Sequence, residues 1–335
     1  MFRQKSQKSL TPSANILLLI AFSGLLLFLA ALYASAIRFG LIWDDPEWYV
    51  RVVGRSFLEV IKPSPDYQFY RPGLMVFNRL FVRADETLAI YLLHWAQVGW
   101  YLINLALLFA ISRRMGFPRW AAFMVVVLAA WHPFVHQAVA WAAPGQPLTA
   151  VLLNAAWVLY LWGRGQSDQP PRAAILLLSL FFFFLAFTIH EIAIPLAVMP
   201  LLLETALRLK QHSWRTVLKS VRQPWQNGWG WPLLYLVLAL LFFLMWLLVP
   251  RESGITGLYG DWRVYAYFLQ GFVYPFASTQ YAQLFANNGL LVATWGFLVL
   301  ALWSVAIYRK RGILATVGFV WAFLGIAPSL VSLPY

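Results

Sequence analysis

The 335-residue sequence contains no cysteine, which excludes a disulfide framework, a thiolate metal site and a cysteine nucleophile. It is also poor in charge, because only 11% of its residues are Asp, Glu, Lys or Arg, against about 25% in an ordinary soluble domain. Hydrophobic residues make up 61% of the chain and aromatic residues 18%. Since so few charges cannot cover a water-facing surface, this composition excludes a soluble enzyme, a disordered chain and a fibrous repeat. The sequence predicts an integral membrane protein.

The charges that are present are mostly basic, with 25 Lys and Arg against 12 Asp and Glu and a net charge of +13. In a soluble protein this excess would favour a nucleic-acid partner. In a membrane protein it indicates cationic cytoplasmic loops. We therefore expect the lipid bilayer as a partner and no nucleic acid.

Long apolar runs predict the membrane-spanning helices, since about 20 mostly apolar residues cross the hydrocarbon layer. About nine runs qualify, and they predict an all-α, polytopic transmembrane helix bundle that forms a single integral-membrane domain over residues 1–335. A tenth stretch, residues 264–276, is ambiguous. The nine predicted spans are residues 14–37, 89–111, 120–142, 148–162, 173–189, 192–207, 231–249, 290–308 and 313–333.

Lysine and arginine positions predict the orientation of these spans. With the amino terminus in the cytoplasm, 16 of the 25 Lys and Arg residues fall inside and 9 outside, and ten of the 12 acidic residues fall outside. The largest inner basic loop is then about residues 208–230. The ambiguous stretch falls within an outer interfacial segment, about residues 261–281, because an odd number of crossings must separate residues 249 and 309. The protein is expected in the plasma (inner) membrane, with the first span as an uncleaved anchor.

The first outer loop, about residues 38–88, carries an acidic pair and an arginine next to predicted helix starts. Asp44 and Asp45 follow the first span, and Pro46 begins a helix that is predicted to run through Lys62. Arg71 lies between Tyr70 and Pro72, and the proline predicts the start of another short helix. The pattern therefore predicts a helical loop with its acidic pair close to the membrane.

Histidines and one further acid fall on the same predicted side. His132 and His136 are four residues apart, the spacing of metal-binding pairs on one helix face. His190 and Glu191 lie between two apolar runs, and an ionisable residue at membrane depth is a functional candidate.

Each of these features also has a structural interpretation. The acidic pair can cap a helix, the histidines can be interfacial, His190 and Glu191 can cap a hairpin, and Arg71 can snorkel to a lipid headgroup. Their placement on one side of the membrane favours a common functional site.

In this order the motifs resemble those of the GT-C superfamily of integral-membrane glycosyltransferases. The resemblance is greatest to the branch that includes protein O-mannosyltransferases and tetratricopeptide-associated transmembrane mannosyltransferases. It covers about residues 40–200. The motifs are Trp43-Asp44-Asp45, Tyr70-Arg71-Pro72, a second span with His94 and Asn104, the segment from Trp131 to Trp141 with His132-Pro133, and His190-Glu191.

The resemblance implies an enzyme that moves a sugar from a polyprenyl-phosphate carrier to a protein, glycan or lipid acceptor at the extracytoplasmic face. It implies that Asp44 or Asp45 is the general base and that Arg71 binds the carrier phosphate. His190 stands where relatives usually have lysine. It contacts phosphate strongly only when protonated, which predicts that activity falls as pH rises.

A divalent cation is the one candidate cofactor, with Asp44, Asp45, His132 and His136 as candidate ligands. Two other functions stay open: a lipid-linked saccharide carrier or exporter that performs no chemistry, and a scaffold of a cell-envelope complex. The carrier needs the phosphate-binding cations but not the acidic pair, whereas the scaffold needs neither.

The charge distribution generates a test of topology. Reporter fusions after Arg114 and Lys219 are expected to give a cytoplasmic signal, because basic loops stay inside. Fusions after Asp66 and Ser253 are expected to give an outer signal. An outer signal at Lys219 would contradict the predicted orientation and the side on which the site is placed.

Overall fold

The computed structural model describes residues 12–249 except 39, 42–44, 64–69, 83–84, 132–137, 143–144, 166–169, 210–211 and 226, together with residues 294 and 298. Throughout this part of the chain the regular secondary structure is helical, and it contains no β-strand. The prediction of an all-α protein is confirmed for these residues.

Eleven α-helices have defined bounds in the described part of the chain, and three short 3-10 turns, Ala36–Arg38, Glu191–Ala193 and Pro195–Val198, accompany them. The α-helices are α1 (Pro12–Tyr33), α2 (Asp45–Val50), α3 (Phe57–Ile61), α4 (Pro72–Phe81), α5 (Glu86–Arg114), α6 (Arg119–Ala130), α7 (Gln146–Gly163), α8 (Ala173–Ile189), α9 (Met199–Leu209), α10 (Trp214–Val221) and α11 (Gly230–Leu248).

Four helical stretches of the described chain are long and apolar enough to cross a membrane: Asn15–Arg38, Glu86–Arg114, Glu191–Leu209 and Gly230–Leu248. Two shorter apolar helices, α6 and α8, accompany them. These helices indicate a membrane protein, as the composition predicted. Nine spans stay a prediction, because most of residues 290–333 and the interfacial segment at 261–281 lie outside the described residues.

Two predicted spans differ from the observed helices at prolines. The helix predicted over residues 120–142 ends at Ala130, three residues before Pro133. Proline disfavours helical backbone at the residue that precedes it. The span predicted over residues 192–207 begins as two 3-10 turns and becomes α-helical only at Met199. Pro195 and Pro200 lack the N–H groups that a regular α-helix needs there.

The helix predicted from Pro46 through Lys62 is likewise two helices. α2 ends at Val50, and the turn that follows contains Gly54 at a φ of +69°, a left-handed conformation that favours glycine. α3 then begins with a capping box, in which the Ser56 hydroxyl accepts from the Glu59 N–H and the Glu59 carboxylate accepts from the Ser56 N–H. The described part of residues 38–88, the predicted first outer loop, is therefore largely helical, as predicted, but bent at Gly54.

The centre of the bundle is an antiparallel hairpin of α7 and α8, with α11 packed beside it. The Arg172 N–H donates to the Gly163 carbonyl at 2.8 Å and closes the connection between the two helices. Aromatic rings fill the middle, with ring centroids 5.3 Å apart for Trp157 and Phe183 and 5.1 Å apart for Phe183 and Tyr235. α5 also packs against α7 and contacts α1 and α6. The buried hairpin thus positions the two ends of α7 and α8.

Candidate functional site

An ion pair between Arg71 and Glu191 joins residues that are 120 positions apart in the sequence. Arg71 Nε donates to Glu191 Oε2 at 2.8 Å, and Arg71 Nη2 donates to Glu191 Oε1 at 2.5 Å. Arg71 directly precedes α4, where Pro72 occupies the first helical position, and Glu191 directly follows α8 and His190. The bidentate geometry is the strong form of an arginine–carboxylate pair. It fixes the start of α4 to the end of α8.

Two glycines allow the backbones to approach closely at this point. A Cβ atom on Gly73 would lie 2.9 Å from Thr188 Cβ and 3.0 Å from Ile189 Cδ1. A Cβ atom on Gly145, which precedes α7 at a φ of +70°, would lie 2.7 Å from a Leu74 methyl group. Larger side chains at either position would separate α4 from the α7–α8 hairpin. The ends of three helices therefore meet beside the ion pair.

Trp48 connects α2 to the same place. Its ring lies 5.4 Å from the Arg71 guanidinium and 4.9 Å from the Arg51 guanidinium, both distances typical of cation–π contacts. Trp48, Arg71, His190 and Glu191 are called the Arg71 cluster below. The cluster draws its members from α2, the start of α4 and the end of α8.

Asp45, at the start of α2, is buried with 1% of its surface exposed. Its Oδ2 atom accepts from the Ala142 N–H at 3.1 Å, and the Gln97 side chain donates to the Ala142 carbonyl at 2.9 Å. Asp45 and Trp48 are three residues apart and share one face of α2. Asp45 therefore holds α2 against the segment before α7, while Asp44 lies outside the described residues.

His190 is partly buried beside the ion pair. Its Nδ1 atom accepts from the Ile192 N–H at 3.3 Å and lies 3.6 Å from Glu191 Oε1. Burial, together with the positive charge of Arg71, lowers the pKa of His190 from 6.5 to about 4, against the opposing effect of Glu191. The imidazole is consequently neutral at pH 7. This differs from the expected protonated contact with phosphate and moves any titration of His190 to acidic pH.

A cavity of about 620 Å³ lies beside α2. Tyr49, one turn after Asp45, lines it, and Arg79 and Glu86 contribute polar groups from α4 and α5. Val50, Val53 and Val82 supply apolar lining. The cavity thus combines charged and apolar groups and adjoins the helix that begins with Asp45.

Of the predicted metal ligands, the structure describes only Asp45. Asp44, His132 and His136 all lie outside the described residues. Within the described ranges, no group of three or more His, Asp or Glu side chains is placed to hold a metal ion. A divalent cation at this site stays a prediction.

A second charged group, which the sequence analysis did not single out, is centred on the buried carboxylate of Glu204. Arg164 donates to it at 2.7 and 3.0 Å, Arg208 at 2.5 Å and the Tyr160 hydroxyl at 3.1 Å. We call these four residues the Glu204 cluster. The signal in the sequence was an acid in an apolar run with an arginine four residues later, the helical ion-pair spacing.

The two clusters lie at opposite ends of the central hairpin. Arg164 follows α7 where the chain turns toward α8, whereas His190 follows the far end of α8. α8 has 17 residues, so these ends are about 25 Å apart at 1.5 Å per residue. Charged side chains thus lie at both ends of the hairpin, whereas its middle is filled by aromatic rings.

Comparison of this chain with protein-family models, with curated proteins and with solved structures gives no match. The resemblance to GT-C glycosyltransferases therefore stays a prediction from the residues.

The close approach at Gly73 generates a test of how the site is assembled. We expect Gly73→Ala to destabilise the protein by roughly 1–3 kcal/mol, the usual cost of overpacking, because the added methyl group would collide with Thr188. The measurement is the thermal unfolding midpoint of the purified protein in detergent.

Gly99→Ala is the matched control, because a Cβ atom on Gly99 in α5 would meet nothing within 4 Å. The helix preference of alanine over glycine should leave its midpoint unchanged or higher. Equal midpoints for the two variants would contradict the close packing of α4 against α8.

Proposed function

We propose that this protein is a membrane glycosyltransferase of the GT-C type, which transfers a hexose from a polyprenyl-phosphate carrier to an acceptor at the extracytoplasmic face. The observation that carries the proposal is the convergence of the Arg71 cluster. Arg71 and His190, which the resemblance implies for the carrier phosphate, are in one cluster. Trp48 links them to α2, the helix that starts at the acidic pair.

In the proposed reaction, the acceptor hydroxyl attacks the anomeric carbon of the carrier-linked sugar. A carboxylate of the acidic pair takes the hydroxyl proton as the new C–O bond forms. The bond between the anomeric carbon and the carrier phosphate breaks, and its electron pair leaves with the phosphate. A single displacement of this kind inverts the configuration at the anomeric carbon.

The surroundings of Asp45 support different roles for the two members of the acidic pair. A general base must contact the proton that it removes, but Asp45 is buried and its carboxylate accepts a backbone N–H. We assign proton abstraction to Asp44 and assign to Asp45 the positioning of α2.

Arg71 supplies the positive charge next to the leaving phosphate in this proposal. Two hydrogen bonds to Glu191 hold the guanidinium in a fixed orientation. A neutral His190 can add a hydrogen bond to the phosphate without adding charge.

One observation favours a second, non-catalytic function. Asp45 and Arg71 both have partners within the fold, so each has a structural role that does not require a substrate. A lipid-linked saccharide carrier or exporter, or a cell-envelope scaffold, could retain both residues for that reason alone. The two functions differ in whether the acidic pair is needed for sugar transfer.

Asparagine variants at Asp44 and Asp45 separate these functions. We expect Asp44→Asn to lower the transfer rate by about 10²–10⁴-fold, the usual contribution of a general base, and to leave donor binding intact. We expect a smaller loss for Asp45→Asn, because an amide oxygen can still accept the Ala142 N–H. The measurements are transfer rate and binding of the lipid-linked donor in reconstituted membranes.

Asp85→Asn is the matched control, since Asp85 is an exposed acid of the same loop that caps α5, and asparagine caps a helix equally well. Its transfer rate should equal that of the unmodified protein. A larger loss at Asp45 than at Asp44 would reverse the assigned roles. Rates within about threefold of the unmodified protein for both variants, far less than loss of a general base causes, would favour the non-catalytic function.

A further inference from the structure

The segment between α9 and α11 carries an amphipathic helix that the proposed function does not use. α10 spans Trp214–Val221, and the segment joins two stretches long and apolar enough to cross a membrane. Apolar residues at 217, 218 and 221 follow the helical period, and the basic residues Arg215 and Lys219 lie on another side. Arg222 follows the helix directly. This is the pattern of a helix that lies in a membrane interface.

Hydrogen bonds hold α10 in a fixed orientation on the protein. The Trp229 indole N–H donates to the Ser220 hydroxyl at 2.8 Å, and the Asn227 side chain donates to the Ser220 carbonyl at 3.0 Å. Arg208, a member of the Glu204 cluster, donates to the Asn227 carbonyl and stacks over the Trp229 ring at 4.8 Å. α10 is therefore tied to the end of α9 through the Glu204 cluster.

This orientation leaves an apolar strip of α10 uncovered. Val217, on the docked side, is buried at 3% exposure, but Leu218 is 61% exposed and Val221 42% exposed. Trp225, just after the helix, is 65% exposed. Tryptophan is enriched where proteins meet the membrane interface. Since the strip lies between two stretches that can span the membrane, the bilayer surface is its nearest apolar environment.

Charge indicates which surface the strip contacts. No Asp or Glu occurs between Glu204 and Glu252, whereas five Lys and Arg residues lie between residues 208 and 222. Glu204 is itself already bonded to Arg164 and Arg208. The basic residues of α10 therefore have no acidic residue within their own segment to offset their charge. A membrane leaflet that contains anionic lipids supplies the negative charge.

We propose that α10 is a lipid-binding helix that inserts Leu218, Val221 and Trp225 into the bilayer interface, while Arg215, Lys219 and Arg222 gather anionic headgroups. The Glu204 cluster sets the depth and angle of this helix through Arg208. Lipid binding by α10 does not require glycosyl transfer.

The absence of cysteine from the sequence makes a direct test possible. Leu218→Cys provides a single site for an environment-sensitive fluorophore in the full-length protein, reconstituted in vesicles of phosphatidylcholine and phosphatidylglycerol. Nitroxide quenchers are attached to one lipid or the other at equal density. We expect strong quenching, and we expect labelled phosphatidylglycerol to quench several-fold more than labelled phosphatidylcholine. The preference should fall in part for each of Arg215→Gln, Lys219→Gln and Arg222→Gln, and the two lipids should quench equally when all three residues are replaced.

Two controls make the result specific to α10. Thr216→Cys places the fluorophore on an exposed position two residues away, about 200° around the helix, where lipid quenching should be weak. Lys62→Gln removes an exposed charge just after α3 and should leave the preference unchanged. Equal quenching at positions 216 and 218 would overturn the inserted orientation. Equal quenching by the two lipids at position 218 would overturn the recognition of anionic headgroups.

Discussion

The partly buried ion pair of Arg71 and Glu191 is the contact on which the arrangement of the site depends. Taking two charges out of water is costly, and the bidentate geometry offsets that cost only while both partners are present. The pair therefore requires the start of α4 and the end of α8 to stay together. Trp48 stacks on the same guanidinium and connects α2 to the pair. Asp45 then fastens the start of α2 to Ala142.

The rest of the described structure separates charge from aromatic packing. Rings of Trp157, Phe183 and Tyr235 fill the middle of the α7–α8 hairpin, while the Arg71 cluster and the Glu204 cluster lie at its ends. This separation suits a chain whose solvent is a bilayer, because charges in the hydrocarbon region are expensive. The ends also differ in charge. The charges of Arg71 and Glu191 balance each other, whereas Glu204 is paired with two arginines. The extra positive charge thus lies at the end of the hairpin that the sequence predicts to be cytoplasmic.

Local patterns in the sequence predicted the positions of individual helices. Apolar runs predicted α1, α5, α7, α8 and α11 within a few residues, and Pro72 predicted the start of α4. A pattern within one segment could not predict which other segment that segment contacts. Arg71 and Glu191 were each singled out, but their pairing depends on the close approach at Gly73, which has no local signature. The burial that keeps His190 neutral and the gathering of two arginines on Glu204 are tertiary effects of the same kind.

A double-mutant cycle measures the coupling between Arg71 and Glu191 directly. The variants are Arg71→Met, Glu191→Gln and the two together, and the quantity is the free energy of unfolding of the purified protein in a lipid environment. We expect each single change to be strongly destabilising, by about 3–5 kcal/mol, because it leaves a charge within the fold without its partner. The double variant should then be more stable than the sum of the two losses implies. Strictly additive losses would contradict the pairing and, with it, the convergence from which the site is argued.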